Sequence, residues 1–149
     1  GRPDMAAFLF TKAILAGEPI DVFNSGDMRR DFTYIDDIVS GVIATLENPP
    51  KPSERVKGQQ PTPNNDHVPH RVYNLGNNNT ESLMDFIGII EKELGVEAKK
   101  NMKPLQAGDV PETYADIDIS RDAIGFEPKT RLVEGLKNFV AWYCDYYKV

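Results

Sequence analysis

Six of the eleven prolines fall between residues 49 and 70, with Gln, Asn and Lys between them. Such a stretch is too polar to pack and too rich in proline to hold a helix or an inner strand, so it reads as a long surface loop or excursion. Any core must therefore come from the two flanks, and neither looks self-sufficient. The expectation is one domain over residues 1–149, a length that can bury a sizeable core. His67 and His70 lie inside the stretch. Two histidines three apart can share a metal on a helix, but the neighbouring prolines argue against a helix, and both are read as solvated.

Each flank alternates helical and strand patterns. Gly1-Arg2-Pro3-Asp4 reads as a loop that leads straight into a helix over Met5–Ala16, with Asp4 as its N-cap. Gly17 ends that helix, and Pro19 lies just past it. Ile20–Phe23 alternates as a strand, Asn24–Asp27 is a turn, and Arg30–Ile35 reads as a second short strand. A helix follows from Asp36-Asp37, carrying Ile38, Val39, Val42, Ile43 and Leu46, and stops at Asn48-Pro49-Pro50. Beyond the proline-rich stretch, Arg71–Leu75 reads as a strand. Thr80 or Asn79 would cap a helix over Glu81–Leu94, whose stripe of Leu83, Phe86, Ile87, Ile90 and Leu94 is core. A strand is expected within Ala98–Leu105, then a loop over Gln106–Pro111. Ser120 would cap a short helix ending at Gly125, and Leu132–Tyr147 is the last helix, where Trp142, Tyr143, Tyr146 and Tyr147 read as packing residues. The class is α/β.

Composition narrows the function. A net charge of −6 offers no basic face for nucleic acid. No apolar run approaches the roughly 20 residues of a membrane span, and Gly1–Phe10 has no basic flank before an apolar core; the cytoplasm is the expected compartment. The single cysteine, Cys144, allows no internal disulfide and reads as a buried thiol. A dinucleotide site needs a glycine-rich turn between strand and helix, and no GxGxxG or GxxGxxG occurs. No tyrosine is followed four residues later by lysine, the spacing that lets a lysine lower a phenol's pKa for acid–base work.

Four segments carry most of the information: Gly1–Ala6 (GRPDMA), Ile20–Ile38 (IDVFNSGDMRRDFTYIDDI), Tyr73–Asn77 (YNLGN) and Gln106–Asp116 (QAGDVPETYAD). In this order they resemble the C-terminal half of the extended short-chain dehydrogenase/reductases, the NAD-dependent epimerases and dehydratases. The first and fourth segments are most similar to the UDP-glucuronate 4-epimerase branch. The resemblance spans essentially the whole chain. It implies a small mixed substrate-binding domain from which the N-terminal Rossmann half, with its glycine motif and catalytic Tyr/Lys pair, is missing. No turnover and no NAD binding are expected from the chain by itself.

The resemblance also implies roles. Arg30 matches an arginine that holds the UDP diphosphate, a task suited to a forked guanidinium. Asp109 matches an acid that accepts hydrogen bonds from the uridine ribose hydroxyls. Gln106 falls where some relatives place a second phosphate-binding arginine. Phe23 and the backbone of Asp21 and Val22 match the strand that meets uracil. Arg2 matches an arginine near the substrate carboxylate, which would favour a uronic acid over a neutral hexose. The residues alone leave alternatives open. Arg30 could pair with Asp31 or Asp27, Phe23 could be core, Asp109 an ordinary loop residue and Arg2 a loose terminal one.

In the intact enzyme the resemblance implies that NAD takes hydride from C4 of the sugar while an upstream tyrosine takes the hydroxyl proton. The 4-keto intermediate turns over, and hydride returns to the opposite face. UDP-glucuronate and UDP-galacturonate would thus interconvert, in the service of polysaccharide biosynthesis. Two other readings remain: part of a UDP-glucose 4-epimerase or nucleotide-sugar dehydratase, or a stand-alone nucleotide-sugar-binding module.

Overall fold

A computed structural model of the chain describes residues 4–51 and 69–149. Arg2, His67 and most of the proline-rich stretch lie outside the described residues. In chain order the elements are α1 (Ala6–Leu15), β1 (Ile20–Val22), a 3-10 turn (Phe23–Gly26), β2 (Arg29–Arg30) and α2 (Ile35–Glu47). After the proline-rich stretch come β3 (Glu81–Ser82), α3 (Leu83–Leu94), β4 (Lys100–Met102), α4 (Asp118–Ile124) and α5 (Leu132–Tyr147).

The two flanks join through two small ladders. β1 pairs in parallel with β4, aligning Ile20 with Lys100, Asp21 with Asn101 and Val22 with Met102. β2 pairs antiparallel with β3, aligning Arg29 with Ser82 and Arg30 with Glu81. Alternation along β1 buries Ile20 and Val22 and leaves Asp21 outside.

α3 is the central helix. Ser82 caps it, its Oγ accepting from the N–H groups of Met84 and Asp85, and Gly95 closes it in the left-handed region at φ 68°. Phe86, Ile87 and Ile90 face inward onto Ile14 of α1, Ile20 and Val22 of β1, and Leu136 of α5. Each such side chain contributes roughly 1.5–3 kcal/mol on burial. A second cluster, Ile117, Ile124 and Phe126, lies against Tyr73, Leu75 and Ala44. α2 meets this cluster through small residues. A Cβ on Gly41 would sit 2.8 Å from the side chains of Leu75 and Phe126. Val39, Val42, Ile43 and Leu46 of α2 point to solvent.

Several boundaries differ from the sequence expectation, each for a local reason. The strand expected over Arg30–Ile35 shortens to Arg29–Arg30, because at Asp31 the carboxylate turns onto loop backbone and the ladder ends. Among the described residues, Arg71–Leu75 joins no strand ladder; its Asn74 is held by side-chain bonds. Asn74 Nδ2 donates to the Asp116 carbonyl at 3.0 Å, and Ser120 Oγ donates to the Asn74 carbonyl at 2.5 Å. Ser120 is therefore buried inside α4 and does not cap it. Asp116 Oδ1 accepts the Asp118 N–H at the head of that helix, at 3.0 Å. Glu81 and Ser82 are drawn into β3, so the cap of α3 is Ser82 and not Thr80 or Asn79. α1 starts behind Met5, one residue later than an Asp4 cap requires. Cys144 is free and only partly buried.

Candidate functional site

β1 ends at Val22 and the chain turns sharply. Asn24 and Ser25 both take left-handed backbone, at φ 50° and 51°, and Asn24 Nδ2 donates to the Asp27 carbonyl at 2.7 Å. Asparagine tolerates that region through such local bonds. Gly26, at φ 85°, sits in backbone that favours glycine, and a Cβ there would also press on the Met84 side chain, 2.6 Å from its Sδ. The turn delivers Arg29 and Arg30 into β2.

β2 is flanked on its other edge by the 109–113 segment. The Arg29 N–H donates to the Pro111 carbonyl at 2.8 Å, and the Thr113 N–H donates to the Arg29 carbonyl at 3.2 Å. This places Arg30 beside Asp109, 79 residues later. Arg30 Nη2 donates to Asp109 Oδ1 at 3.0 Å, while Nη1 donates to the carbonyls of Arg29 at 2.8 Å and Pro111 at 3.1 Å. The side chains are 23% and 37% exposed, so the pair itself contributes about 1 kcal/mol or less. Asp109 Oδ1 also accepts the Val110 N–H at 3.0 Å; Oδ2 has no partner among the described residues. Asp109 closes a turn with Gln106, its N–H donating to the Gln106 carbonyl at 3.1 Å, with Gly108 left-handed at φ 85°. The Gln106 side chain is exposed. Arg29 points elsewhere, its Nε and Nη2 donating to Thr80 at 3.0 and 2.6 Å.

Phe23 is half-buried, with Lys103 Nζ 5.9 Å from its ring centroid. That ammonium also donates to Asp21 Oδ2 at 2.6 Å, and Asn101 Nδ2 donates to Oδ1 at 2.8 Å. The Lys103 hydrogen bond is the main reason the Asp21 carboxyl sits below its usual range. Ile20 N–H donates to the Lys99 carbonyl and Val22 C=O accepts from Lys103 N–H. The alternation of a parallel ladder thus turns the amide of Asp21 to the edge that pairs with no strand among the described residues.

Two residues here escaped the sequence reading. Lys103 sits in a segment read only as a strand, and nothing in its neighbours marks it. Asp31 was visible in the second segment, but only as a possible ion partner of Arg30. Its carboxylate instead accepts three backbone N–H groups, from Asn77 at 2.7 Å, Asn78 at 3.1 Å and Ala115 at 2.9 Å. Three of the four informative segments therefore meet at one side chain. Gly76 makes the approach possible, since a Cβ there would lie 2.3 Å from Ala115 Cβ.

Two clefts open nearby. One, of about 480 Å³, is lined by Asn77, Asn79, Glu81, Asp85 and residues 128–133. The other, of about 570 Å³, is apolar and includes Phe32, Tyr34, Ile35, Phe139 and Trp142. Neither takes in Arg30, Asp109, Phe23 or Gln106. Among the described residues no strand runs through a glycine-rich turn into a helix. Gly17, Gly95 and Gly125 follow helices, and Gly26 and Gly108 sit in turns. Among the described residues there is also no group of acidic, histidine or cysteine side chains that could hold a metal, and no helix long and apolar enough to cross a membrane.

Residues 1–76, just over half of the chain, match the NAD dependent epimerase/dehydratase family. The chain belongs to that family, and its mixed α/β arrangement matches part of the family fold. Protein CapI of Staphylococcus aureus is 49% identical over 148 residues, covering 99% of this chain and 44% of that protein. The probable UDP-glucuronate 4-epimerase of Rhizobium meliloti is 43% identical, with 99% and 44% covered. The crystal structure of UDP-glucuronic acid 4-epimerase from Bacillus cereus in complex with NAD superposes with a TM-score of 0.75 at 31% identity, covering 99% of this chain and 40% of that one. The chain thus spans a little under half the length of these curated relatives.

Proposed function

We propose that this chain is the sugar-nucleotide-binding portion of a UDP-glucuronate 4-epimerase, acting with an NAD-binding portion that supplies the redox chemistry. The observation that carries this reading is the convergence of Arg30 and Asp109 from distant parts of the chain. Arg30 is held by two carbonyls through Nη1, which fixes the guanidinium while its remaining N–H groups are available for a diphosphate. Asp109 keeps Oδ2 for a ribose hydroxyl. The outward amide of Asp21 and the ring of Phe23 would receive uracil, with Val22 anchoring the strand in the core and Lys103 adding positive charge at that end. Gln106 would stand at the phosphate end as a neutral donor. Arg2, outside the described residues, would pair with the uronate carboxylate and set preference against neutral sugars. The uronate branch is favoured by the relatives named for it, from Rhizobium meliloti and Bacillus cereus.

The test is calorimetric titration of the chain with UDP. Saturable binding in the millimolar range is expected, at least tenfold weaker in Arg30→Met and weakened again in Asp109→Ala. UDP-glucuronate should bind more tightly than UDP only if Arg2 engages it, and Arg2→Ala should erase that difference. No heat and no chemical-shift change at millimolar UDP would overturn the reading.

A further inference from the structure

Past the end of β4 the pairing with the β1 side of the fold runs on for one more residue. The Lys103 N–H donates to the Val22 carbonyl at 2.9 Å, and the Lys103 carbonyl accepts the Ser25 N–H at 3.0 Å. Lys103 is thereby fastened by its backbone on both sides of Phe23. Side chains two apart in extended chain share a face, and Asp21 stands in register with Asn101. Asp21, Phe23, Asn101 and Lys103 thus gather on the outer face, opposite the buried Ile20 and Val22. The Asp21 carboxylate holds this group together. Its Oδ2 accepts from Lys103 Nζ at 2.6 Å and its Oδ1 from Asn101 Nδ2 at 2.8 Å. The lysine side chain is nevertheless 39% exposed, so its head is within reach of a ligand.

The hydrogen-bonding capacity left over is lopsided. An ammonium has three N–H donors and no acceptor. One donor is spent on Asp21, and the others meet no partner among the described residues. Both oxygens of Asp21 already accept a bond. What remains unspent beside the Phe23 ring is therefore chiefly a donor, and Nζ lies 5.9 Å from the ring centroid, near the outer limit of a direct cation–π contact.

We infer that Lys103 is the base-selecting residue of the proposed sugar-nucleotide site: at the rim of a base stacked on Phe23, its ammonium donates to the O4 carbonyl of uracil and rejects the 4-amino group of cytosine. The two bases share O2 and differ at position 4, where an acceptor gives way to an N–H donor. Two donors face to face leave each other unpaired. A site built around a hydrogen bond turns away the analogue that cannot complete it far more strongly than an apolar pocket does. Asp21 is the positioning residue, since it keeps the ammonium from swinging into solvent. The inference rests on the reading of this edge as the seat of a uridine diphosphate, and goes beyond it by naming what chooses the base.

The experiment is chemical-shift titration of the chain with UDP and with CDP, followed at the backbone amides of residues 21–25, in the parent and in Lys103→Met, Lys103→Arg and Asp21→Asn. Methionine keeps most of the stem and removes the donor. The parent is expected to bind UDP about tenfold or more tighter than CDP. Lys103→Met should narrow that ratio to less than about threefold by weakening UDP alone, Lys103→Arg should restore most of it, and Asp21→Asn should fall between. An exposed ion pair contributes little to folding, so the variants should melt close to the parent. Equal weakening of UDP and CDP in Lys103→Met overturns the inference, because it shows a charge felt by the diphosphate and not by the base. A ratio unchanged in Lys103→Met overturns it as well, and so does a parent that prefers CDP, which would make the Asp21 carboxylate the reader. In each of these three cases UDP still binds and the proposed site stands. If neither nucleotide binds at millimolar concentration, the site itself fails and takes the inference with it.

Discussion

α2 and α3 are near twins as sequence: 13 and 12 residues, each with a helical stripe of large aliphatic side chains and acids in the first turn. They end on opposite sides of the surface. α3 buries Phe86, Ile87 and Ile90 between α1, β1 and α5, whereas α2 meets the fold through Gly41 and Ala44 and turns its stripe outward. The contrast teaches that periodicity says a helix has an apolar face but not what covers it. The missing information is the volume of the opposite face. Glycine and alanine let a neighbour approach closely, and that approach decides which way the helix rolls.

Substitutions can break or sharpen this contrast. The largest effect is expected from Phe86→Ala on α3, which should cost about 4 kcal/mol in denaturant unfolding, since it empties a packed site. Asp31→Asn should cost about 2 kcal/mol and weaken UDP binding with it, because an amide donor would face the N–H groups of Asn78 or Ala115. Ser82→Ala, which removes the α3 cap, should cost about 1 kcal/mol. A smaller, pH-dependent effect belongs to Glu91 in the last turn of α3. Burial pushes its carboxyl up, but the Lys100 ammonium and the Ala98 N–H outweigh that and hold it below the ordinary 4.5. A folded value below the unfolded one stabilises above the ordinary value, and the gain is lost as pH falls through the folded value. Glu91→Gln should therefore be less stable than the parent at neutral pH, with the difference vanishing in acid. Leu46→Ala on α2 should change the stability of the chain alone by less than about 0.5 kcal/mol. A loss there as large as that of Phe86→Ala would erase the distinction between the two helices.

Much of the fold was legible because helices announce themselves locally. The stops at Gly17, Gly95 and Gly125 and the stripe of α3 follow from short-range chemistry. The strands were not legible in the same way. β2 and β3 are two residues each, and their extent is set by what Asp31 and Ser82 do with their side chains. Arg71–Leu75 has strand composition, yet its Asn74 bonds to Asp116 and Ser120 in place of a ladder. At the candidate site, Arg30 and Asp109 could be named from a family resemblance, but their contact depends on a pairing across the chain that no local pattern encodes. Asp31 went unrecognised because an acid beside an arginine looks like an ion partner, whereas its three amide donors come from loops some 46 and 84 residues away.

The same long reach sets the tempo of assembly. Arg30 meets Asp109 across 79 positions, Asp21 meets Asn101 across 80, and Asp31 meets Ala115 across 84. Closing such wide loops is an entropic toll levied before any contact rewards it. Refolding should accordingly run on the order of milliseconds to seconds, slower than a helical bundle of like size. The edge that carries Arg30 and Asp109, joined through these distant partners, is expected to be the last region to acquire native shape after dilution from denaturant.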